Sequence, residues 1–362
     1  MRFLLKLLFN LILLVCFLIV LLVFVVNSDL KSSIKTLNTS PERHQNDPRS
    51  LLSTLTQISS EEIKDIRSFD LWCIFTKVKS LNEPLANKLK NFVISLLHTS
   101  HSTHLLNLHV ISDIQSQAVA KSVFEDAFQL SSKEIKIKYY NATAIAERIQ
   151  YIVDSMRPHF SSQPNSYYGD SLFFISLGLH LIAPKNMSKA AMFDVDTEFR
   201  GDVADLFQEF DRFGPQALFG LAPELTPVYR HILYRYRNLY KDTNFGKALT
   251  EGGYPGLNSG VILFQLDRIR ESQLFNRLLG KNSTNFLAKK YSFKGHLGDQ
   301  DFYTILGMEY PELIKILPCG WNRQLCDWWK NHGYEDISAQ FATCNTSTYL
   351  YHGNCNTAIP KP

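Results

Sequence analysis

The stretch Ala190-Ala191-Met192-Phe193-Asp194-Val195-Asp196-Thr197-Glu198-Phe199 is an apolar run that ends in two aspartates one residue apart. The run predicts a buried strand, and in an extended chain residues i and i+2 project to the same side. Two carboxylates at the end of a buried strand repel each other unless a cation or a donor network compensates them. A divalent metal is the simplest such group, and hard oxygen ligands favour Mn2+ or Mg2+. The alternative is a helix cap next to a solvated loop residue, because Asp-x-Asp is common by chance.

Strand-helix units precede this stretch. Strands are predicted at 71–76, 105–111 and 134–140, and helices at 85–98, from the cap candidate Asp113 to about 128, and at 142–156. This alternation indicates an α/β fold with a parallel sheet that is covered on both faces. Ligands of such sheets bind beyond the carboxyl ends of the strands. We therefore expect a site in the loops after Phe75, Ile111 and Phe193.

The composition is that of an ordinary globular protein. Of the 362 residues, 45% are apolar and 20% are charged, and the formal net charge is +4. Arg2 and Lys6 lie outside any predicted folded domain, so the remainder is nearly balanced and has no concentrated basic stripe. Nucleic acid is therefore not expected as a partner.

The N-terminus contains a candidate membrane span. Residues 7–26 are apolar except for Asn10, and about 20 helical residues cover the roughly 30 Å of a bilayer core. Arg2 and Lys6 precede the span, which favours a cytoplasmic N-terminus. We predict a cytoplasmic tail at 1–6, one transmembrane signal anchor at 7–26, a luminal stem at 27–68 and a folded domain at 69–362. A cleaved signal peptide is the alternative, although the run exceeds the usual ~7–15-residue apolar region.

Cysteine usage agrees with a luminal compartment. Cys319, Cys326, Cys344 and Cys355 crowd into the last part of the chain. Their spacing does not match paired zinc-binding motifs, and a translocated chain meets an oxidising lumen, so we expect two disulfides. Three connectivities are possible, and we favour Cys319 with Cys344 and Cys326 with Cys355. Glycosylation sequons, which only a luminal chain could use, occur at Asn38, Asn141, Asn186, Asn282 and Asn345.

Further motifs follow the aspartate pair. They are Leu257-Asn258-Ser259-Gly260-Val261-Ile262-Leu263-Phe264, His296-Leu297-Gly298-Asp299-Gln300-Asp301-Phe302, Cys319-Gly320-Trp321-Asn322 and Tyr351-His352-Gly353. From Trp72 onward the chain resembles glycosyltransferase family 8, in which Asp-x-Asp, Asn-x-Gly, Asp-Gln-Asp and a late His-x-x-Gly-like segment occur in this order. The resemblance implies a GT-A type α/β fold with a Rossmann-like, mostly parallel central sheet, and a catalytic domain at 69–362.

The resemblance also implies roles for single residues. It assigns the metal to Asp194, Asp196 and His352. It assigns the nucleotide-sugar donor to Ile74, Phe75, Thr76, Val195, Asn258, Ser259, Gly260, His296 and Gln300. Gln300, near the anomeric carbon, and Asp299, on the sugar hydroxyls, are the catalytic candidates. The alternatives are a helix N-cap for Asp299, a strand-initiating turn for 258–260 and an ordinary loop histidine for His352.

Transfer in this family retains the anomeric configuration. Because glutamine is a poor nucleophile, the expected route is same-face substitution, in which the leaving diphosphate accepts the proton of the acceptor. One departure from the family pattern concerns the diphosphate. Family members usually continue the histidine motif into Lys-Pro-Trp, whereas no lysine follows His352 before Lys361. Asn354, or backbone amides held by the Cys355 disulfide, could replace that lysine.

The C-terminal part, together with 193–199 and 321–329, most resembles the xyloside xylosyltransferase branch. That branch uses UDP-xylose to add xylose in α1,3 linkage to xylosyl-glucose on EGF-like repeats of Notch-type proteins in the endoplasmic reticulum. The resemblance implies Mn2+, with Mg2+ as an alternative, and a single-pass type II membrane protein, with the Golgi as alternative location. A homodimer is left open.

Aromatic residues suggest an acceptor site. Trp328 and Trp329 could form a platform for sugar rings or for a protein face, with His231 as a weaker candidate. Core packing is the alternative for the two tryptophans. Two other functions are also open. One is a related transferase that uses UDP-glucose or UDP-xylose on another acceptor, and the other is a catalytically silent, glycan-binding domain.

Overall fold

The computed structural model describes residues 67–101, 103–131, 133, 135–161 and 170–361. These residues belong to one unit, Asp65–Pro362. The predicted tail, the signal anchor and most of the stem, at 1–66, lie outside the described residues, and so does the Asn38 sequon. Within the part that is described, no helix combines the length and the apolar character needed to cross a membrane.

The elements alternate along the chain. The strands are β1 Ser68–Ile74, β2 Leu105–Ser112, β3 Ile135–Asn141, β4 Lys189–Phe193, β5 Thr197–Phe199, β6 Phe219–Pro223, β7 Leu257–Gln265, β8 Ile314–Ile316, β9 Arg323–Gln324 and β10 Leu350–His352. The α-helices are α1 Pro84–Thr99, α2 Ile114–Gln129, α3 Ala142–Arg148, α4 Gln150–Phe160, α5 Leu179–Ile182, α6 Val203–Gln208, α7 Val228–Ile232, α8 Tyr234–Leu239, α9 Leu266–Glu271, α10 Gln273–Leu278, α11 Lys281–Lys290, α12 Asp299–Glu309 and α13 Glu335–Phe341. Short 3₁₀ helices include Ser171–Gly178, Cys319–Asn322, Trp328–His332 and Asn354–Asn356.

The central sheet has seven strands in the order β3-β2-β1-β4-β7-β6-β8. All neighbouring pairs are parallel except those of β7, which runs antiparallel to β4 and β6. The prediction of an α/β fold with a mostly parallel sheet is therefore confirmed. The reversed direction of β7 was not predicted. Because β7 opposes β4, its first residues lie beside the carboxyl end of β4, where the sequence places the aspartate pair.

Apolar cores lie on both faces of the sheet. Along β4, Ala190 and Met192 belong to one core, whereas Ala191 and Phe193 belong to the other. Successive side chains of a strand point to opposite faces, so a strand covered on both faces is apolar throughout. This is why the continuous run before Asp194 identifies a central strand.

The helices differ from the prediction in one place. Helix α2 begins after Asp113, whose carboxylate accepts the Ser116 amide at 2.9 Å, so the predicted N-cap is confirmed. The single helix predicted at 142–156 is wrong, because α3 and α4 are separate. Between them, Ile149 has φ −102° and ψ 9°, outside helical geometry, and its fully buried side chain packs closely against Gly178.

A second sheet of three strands, in the order β5-β10-β9, follows the aspartate pair and carries the C-terminal motifs. Disulfides join Cys319 to Cys344 and Cys326 to Cys355, as favoured from the sequence. The second bond ties the chain after β9 to the chain after β10. Cys73 is a buried free thiol, and burial raises its pKa to about 12.

Candidate active site

Asp194 and Asp196 lie in the turn that joins β4 to β5. The backbone amide of Thr197 donates to the Asp194 carbonyl at 3.2 Å, and its hydroxyl donates to the same oxygen at 2.8 Å. These bonds close a turn, so the prediction of an extended Asp-x-Asp segment is wrong. Asp196 remains partly covered, with 22% of its side chain exposed, whereas Asp194 is 59% exposed.

His352 reaches the same turn from the last strand of the small sheet. Strand β10 pairs with β5 so that His352 lies opposite Thr197. The imidazole Nε2 lies 3.5 Å from Asp194 Oδ2 and 3.3 Å from Asp196 Oδ1, and only 4% of the side chain is exposed. The structure thus brings together all three predicted metal ligands, and the loop-histidine interpretation is not needed.

This cluster fits a divalent cation. Its three ligand atoms, two carboxylate oxygens and one imidazole nitrogen, lie within 4.8 Å of one another. Ligands about 2.1 Å from an octahedral ion and at right angles to each other lie about 3 Å apart, close to the separations of Nε2 from the two oxygens. Two hard oxygens and one imidazole suit Mn2+. The identity of the metal stays a prediction.

The charges in the cluster shift the pKa values of its three residues in different directions. Burial, with the charge of Asp196, raises the pKa of Asp194 to about 6 against the charge of His352. Burial lowers the pKa of His352, but the hydrogen bond to Asp196 and the two carboxylate charges outweigh it, and the net shift is upward. Burial likewise raises the pKa of Asp196, but His352 and Lys88 outweigh burial and hold this pKa well below its usual range. The aspartate therefore stays ionised at neutral pH, as a metal ligand must.

Lys88 of α1 is a member of the site that the sequence did not reveal. Its Nζ lies 3.3 Å from Asp196 Oδ2 and 3.0 Å from Asn356 Oδ1. In the sequence it is one lysine of an amphipathic helix, and no local pattern distinguishes it from Lys90. Its positive charge lies beside the proposed metal position.

The predicted sugar-binding segment 258–260 begins β7, so the alternative of a strand-initiating turn is wrong. The Gly260 carbonyl accepts the Asp194 amide at 2.9 Å, which fixes the segment to the aspartate turn. Asn258 is only 4% exposed. Its Oδ1 accepts the Gly260 amide at 3.0 Å, and its Nδ2 donates to Glu224 at 2.9 Å. Both ends of this nearly buried side chain are thus bonded within the protein, and one Nδ2 hydrogen remains for a further acceptor.

Asp299 and Gln300 begin α12. The N-cap position belongs to Gly298, with φ 68°, so the cap interpretation of Asp299 is wrong. The Asp299 carboxylate accepts the hydroxyls of Ser176 and Ser259, the latter at 3.1 Å. Burial raises the pKa of Asp299 to about 7, and the charge of Asp194 adds to this against the two hydroxyl bonds. Ser176 and Ser259 therefore fix the Asp299 carboxylate at the start of α12.

Glu224, directly after β6, holds the Gln300 carboxamide. The Gln300 Oε1 accepts the Ser259 amide at 3.3 Å, and its Nε2 donates to Glu224 Oε2 at 3.2 Å. Glu224 also accepts the Thr226 amide at 2.9 Å and is 2% exposed. Sequence reasoning missed Glu224. A signal was present, since a carboxylate directly after a buried strand is the same pattern that pointed to Asp194.

The segment after β1 lies next to β4, because Cys73 is in register with Phe193. Of the residues predicted to line the nucleotide pocket, Ile74 and Thr76 are partly exposed, whereas the Phe75 side chain is fully buried in the core. Only the backbone of Phe75 could therefore face a nucleotide. Val195, also predicted to contact the donor, is buried at 6% exposure.

The Asn354 side chain has a structural role. Its Oδ1 accepts the amides of Leu325 and Cys326 at 3.0 and 2.9 Å. These bonds brace the loop closed by the Cys326–Cys355 disulfide. The side-chain oxygen is thus engaged within the protein. A contact with the diphosphate would use the Nδ2 donor instead, and that role stays a prediction.

The three predicted acceptor residues form one aromatic cluster. Trp329 lies 5.5 Å from His231 and 4.9 Å from Trp328 between ring centroids. The His231 Nδ1 is hydrogen-bonded to the Tyr334 hydroxyl at 2.8 Å. Trp328 is 47% exposed and stacks on His332, whereas Trp329 packs against the core. Core packing therefore explains part of the role of Trp329, while Trp328 remains accessible.

A cavity of about 550 Å3 adjoins this cluster, lined by His231, Tyr334 and basic residues such as Arg230 and Arg237. His231 also lies close enough to His296 to affect it. Burial lowers the pKa of His296, and the charge of His231 adds to that shift.

Curated relatives match most of the chain. It is 39% identical over 296 residues to xyloside xylosyltransferase 1 of Mus musculus, a match that covers 81% of this chain and 75% of the relative. The Homo sapiens protein of the same name is 40% identical over the same shares of the two chains. The chain belongs to the xyloside xylosyltransferase family. The predicted resemblance is therefore confirmed, and the protein is a glycosyltransferase of the xylosyltransferase type.

The structure agrees with membership of the xyloside xylosyltransferase family. The crystal structure of the mouse enzyme in its apo form matches with a TM-score of 0.76 and 39% identity, over 81% of this chain and 100% of that chain. The bifunctional glycosyltransferase WbbM, at 12% identity and a TM-score of 0.51, shares the fold alone. No protein-family model matches the chain. The predicted GT-A type architecture is thereby confirmed for the described residues.

A buried carboxyl predicts how the stability of this xyloside xylosyltransferase family member depends on pH. Asp301 is fully buried and accepts the Leu297 amide at 2.7 Å and the Tyr229 hydroxyl at 3.1 Å. Burial raises its pKa to about 7 against these bonds, from about 3.9 in the unfolded chain. Between these values the folded state binds more protons, so its stability falls as pH rises through this window.

We therefore expect the melting temperature of the metal-free protein to fall between pH 5 and pH 8, and to fall less in Asp301→Asn. The asparagine is always neutral and can keep both bonds, since a tyrosine hydroxyl also accepts. Thermal melts at several pH values in EDTA measure the difference between the two proteins. Parallel profiles would contradict a raised pKa of Asp301.

Proposed function

We propose that this protein transfers xylose from UDP-xylose, with retention and in α1,3 linkage, to a xylosyl-glucose O-glycan on EGF-like repeats of Notch-type proteins. The observation that carries the proposal is the convergence of Asp194, Asp196 and His352 beside Asp299 and Gln300 in a member of this family. The names of the relatives support xylose as the transferred sugar.

The donor would bind across the carboxyl ends of β1 and β4. Asp194, Asp196 and His352 would hold Mn2+, which supplies positive charge against the diphosphate when it is bound. Lys88 adds a second positive charge beside Asp196. We propose that it contacts the diphosphate in place of the lysine of the family motif, which is missing from the sequence. The partly exposed Ile74 and Thr76 would contact the nucleotide.

Asp299 and Gln300 would hold the sugar. The hydroxyls of Ser176 and Ser259 fix the Asp299 carboxylate, and Glu224 and the Ser259 amide fix both ends of the Gln300 carboxamide. In the transfer, the acceptor hydroxyl oxygen bonds to C1 of xylose, the bond from C1 to the diphosphate oxygen breaks, and the hydroxyl proton passes to the diphosphate. The side chains act by alignment, which can supply a large part of a rate enhancement.

The acceptor would lie against the aromatic cluster of Trp328, Trp329 and His231. An exposed tryptophan ring offers a flat apolar face to a pyranose, and tryptophan is enriched where proteins bind each other. The basic cavity beside His231 extends this surface. We also propose that the protein is a type II membrane protein of the endoplasmic reticulum, anchored through residues 7–26. Luminal exposure is supported by the two disulfides.

Hydrolysis of a panel of UDP-sugars by the full-length protein tests this function. We expect Mn2+-dependent release of UDP from UDP-xylose, faster than from UDP-glucose, and no release in EDTA. A second step offers an EGF-like repeat that carries xylosyl-glucose and determines the new linkage. Preference for another sugar would refute the xylosyl donor. Absence of both hydrolysis and metal-dependent nucleotide binding would instead favour a glycan-binding domain without activity.

A further inference from the structure

His352 is enclosed by hydrogen-bonding partners on both ring nitrogens. Its Nε2 faces the two aspartates, and its Nδ1 lies 3.0 Å from Asn322 Oδ1. A neutral imidazole donates from one nitrogen and accepts at the other. The partner of Nδ1 therefore decides whether Nε2 has a free lone pair for a metal.

The orientation of the Asn258 carboxamide can be derived from a neighbouring backbone amide, which can only donate a hydrogen bond. The Gly260 backbone amide is always a donor, and it lies 3.0 Å from one polar atom of the Asn258 carboxamide. That atom must be the oxygen, Oδ1. The Asn258 nitrogen then faces Glu224 Oε2 at 2.9 Å, where a carboxylate accepts. Both ends of the carboxamide have partners, so two independent hydrogen bonds give the same orientation.

Asn322 is oriented in turn by Asn258. One polar atom of Asn322 lies 2.8 Å from Asn258 Oδ1. Because Asn258 Oδ1 can only accept, the Asn322 atom is the nitrogen, and the opposite atom, Oδ1, faces His352. A carboxamide oxygen can only accept, so the His352 Nδ1 must donate. Asn322 is fully buried, so its contact with His352 is shielded from bulk solvent.

We propose that Asn322 is a positioning residue that keeps the proton of His352 on Nδ1 and so leaves Nε2 as the metal ligand. This inference rests on the metal site of the proposed function and adds a residue to which no role was assigned. With the proton on Nε2, the ring would donate to Asp196 and oppose the cation. Partners of this kind behind a histidine ligand typically change metal affinity by about 10–100-fold.

Binding of Mn2+ alone, followed by electron paramagnetic resonance of the free ion, tests the proposal on the full-length protein. In Asn322→Leu, Nδ1 loses its acceptor, and we expect binding to weaken by about 10–100-fold. In Asn322→Asp, a carboxylate oxygen still accepts from Nδ1, but the second oxygen cannot donate to Asn258 Oδ1. We therefore expect a smaller loss of affinity than in the leucine variant, because carboxylates commonly support histidine ligands. If the leucine variant binds Mn2+ like the parent, or if the aspartate variant binds as weakly as the leucine variant, the proposal is wrong.

Gln324→Leu is the matched control. Gln324 is a buried amide two residues away and the backbone partner of His352 in the pairing of β9 with β10. Its side chain bonds to the Pro223 carbonyl, the Leu225 amide and the Asn322 backbone carbonyl, and it makes no bond to the His352 ring. We expect its loss to lower thermal stability while Mn2+ affinity stays near the parent value. Equal weakening in this variant would assign the Asn322 effect to general damage and overturn the proposal.

The position of the proton can also be observed directly. In the protein labelled with 15N-histidine at a fixed Mg2+ concentration, we expect the His352 proton on Nδ1 in the loaded parent. In Asn322→Leu we expect the His352 signal of the metal-free form, because this variant binds the ion more weakly. A proton on Nε2 in the loaded parent would refute the proposal and would also exclude His352 as a ligand, leaving the ion on the two aspartates. Failure of the parent protein to bind Mn2+ would instead refute the proposed metal site, and with it this inference.

Discussion

Asp196→Asn is expected to abolish Mn2+ binding at working concentrations and to lower metal-dependent turnover of UDP-xylose by roughly 10²–10³-fold or more, the loss seen when one preorganised charge-stabilising group is removed. The substitution keeps the shape of the side chain but removes the charge that His352 and Lys88 hold ionised. Without this charge, Asp194 is the single carboxylate that remains in the cluster. The His352 imidazole and the Lys88 ammonium then lie beside one negative charge instead of two. Mn2+ titration and steady-state hydrolysis measure the two effects.

Asp126→Asn is the matched control for this substitution. Asp126 also pairs with a lysine of α1, since Lys90 Nζ lies 3.0 Å from its carboxylate, but the pair is on the surface and 52% of the Asp126 side chain is exposed. Surface pairs contribute little to stability, so we expect parent-like metal binding and turnover. If Asp196→Asn retained metal-dependent turnover, the metal site would have to be sought outside this cluster.

The central sheet could be predicted from the sequence because its strands are buried on both faces. Such strands are apolar without interruption, and the run before Asp194 is one of them. The prediction that Asp194 and Asp196 bind a metal depended on this strand. The prediction that His352 joins them depended on the order of the motifs along the chain, because His352 lies far from the pair in the sequence. The small sheet explains how they meet, because β5 continues from Asp196 and β10 carries His352.

Other parts of the site leave little trace in a single sequence. Lys88 is placed by the packing of α1, which has no local pattern. Asn322 belongs to a motif found in the sequence, but its contact with His352 depends on the pairing of β9 with β10. The reversed direction of β7 is also a tertiary property, because its apolar run reads the same in either direction. The contacts of Asn258 follow from this reversed strand. Asn258 was predicted to contact the sugar, but both ends of its carboxamide are hydrogen-bonded within the protein.

Gly260 illustrates why this part of the fold is sensitive to a single methyl group. It lies in β7 with a backbone conformation that other residues adopt freely, so its absence of a side chain matters for space rather than for torsion angles. A Cβ at this position would lie 2.2 Å from Cε1 and 2.4 Å from Nδ1 of the His352 ring. Carbon atoms in contact are about 3.5–4.0 Å apart, so the ring would have to move by more than about 1 Å.

We therefore expect Gly260→Ala to lose Mn2+ binding and most activity while the protein remains folded. The ring is packed behind the two aspartates, and a displacement of about 1 Å in a catalytic arrangement can cost about 10²-fold in rate. Gly214→Ala is the matched control, because a Cβ there meets nothing within 4 Å. Circular dichroism confirms folding, and Mn2+ titration with UDP-xylose hydrolysis measures the effect. Parent-like metal affinity in Gly260→Ala would mean that His352 does not ligate the ion from its observed position.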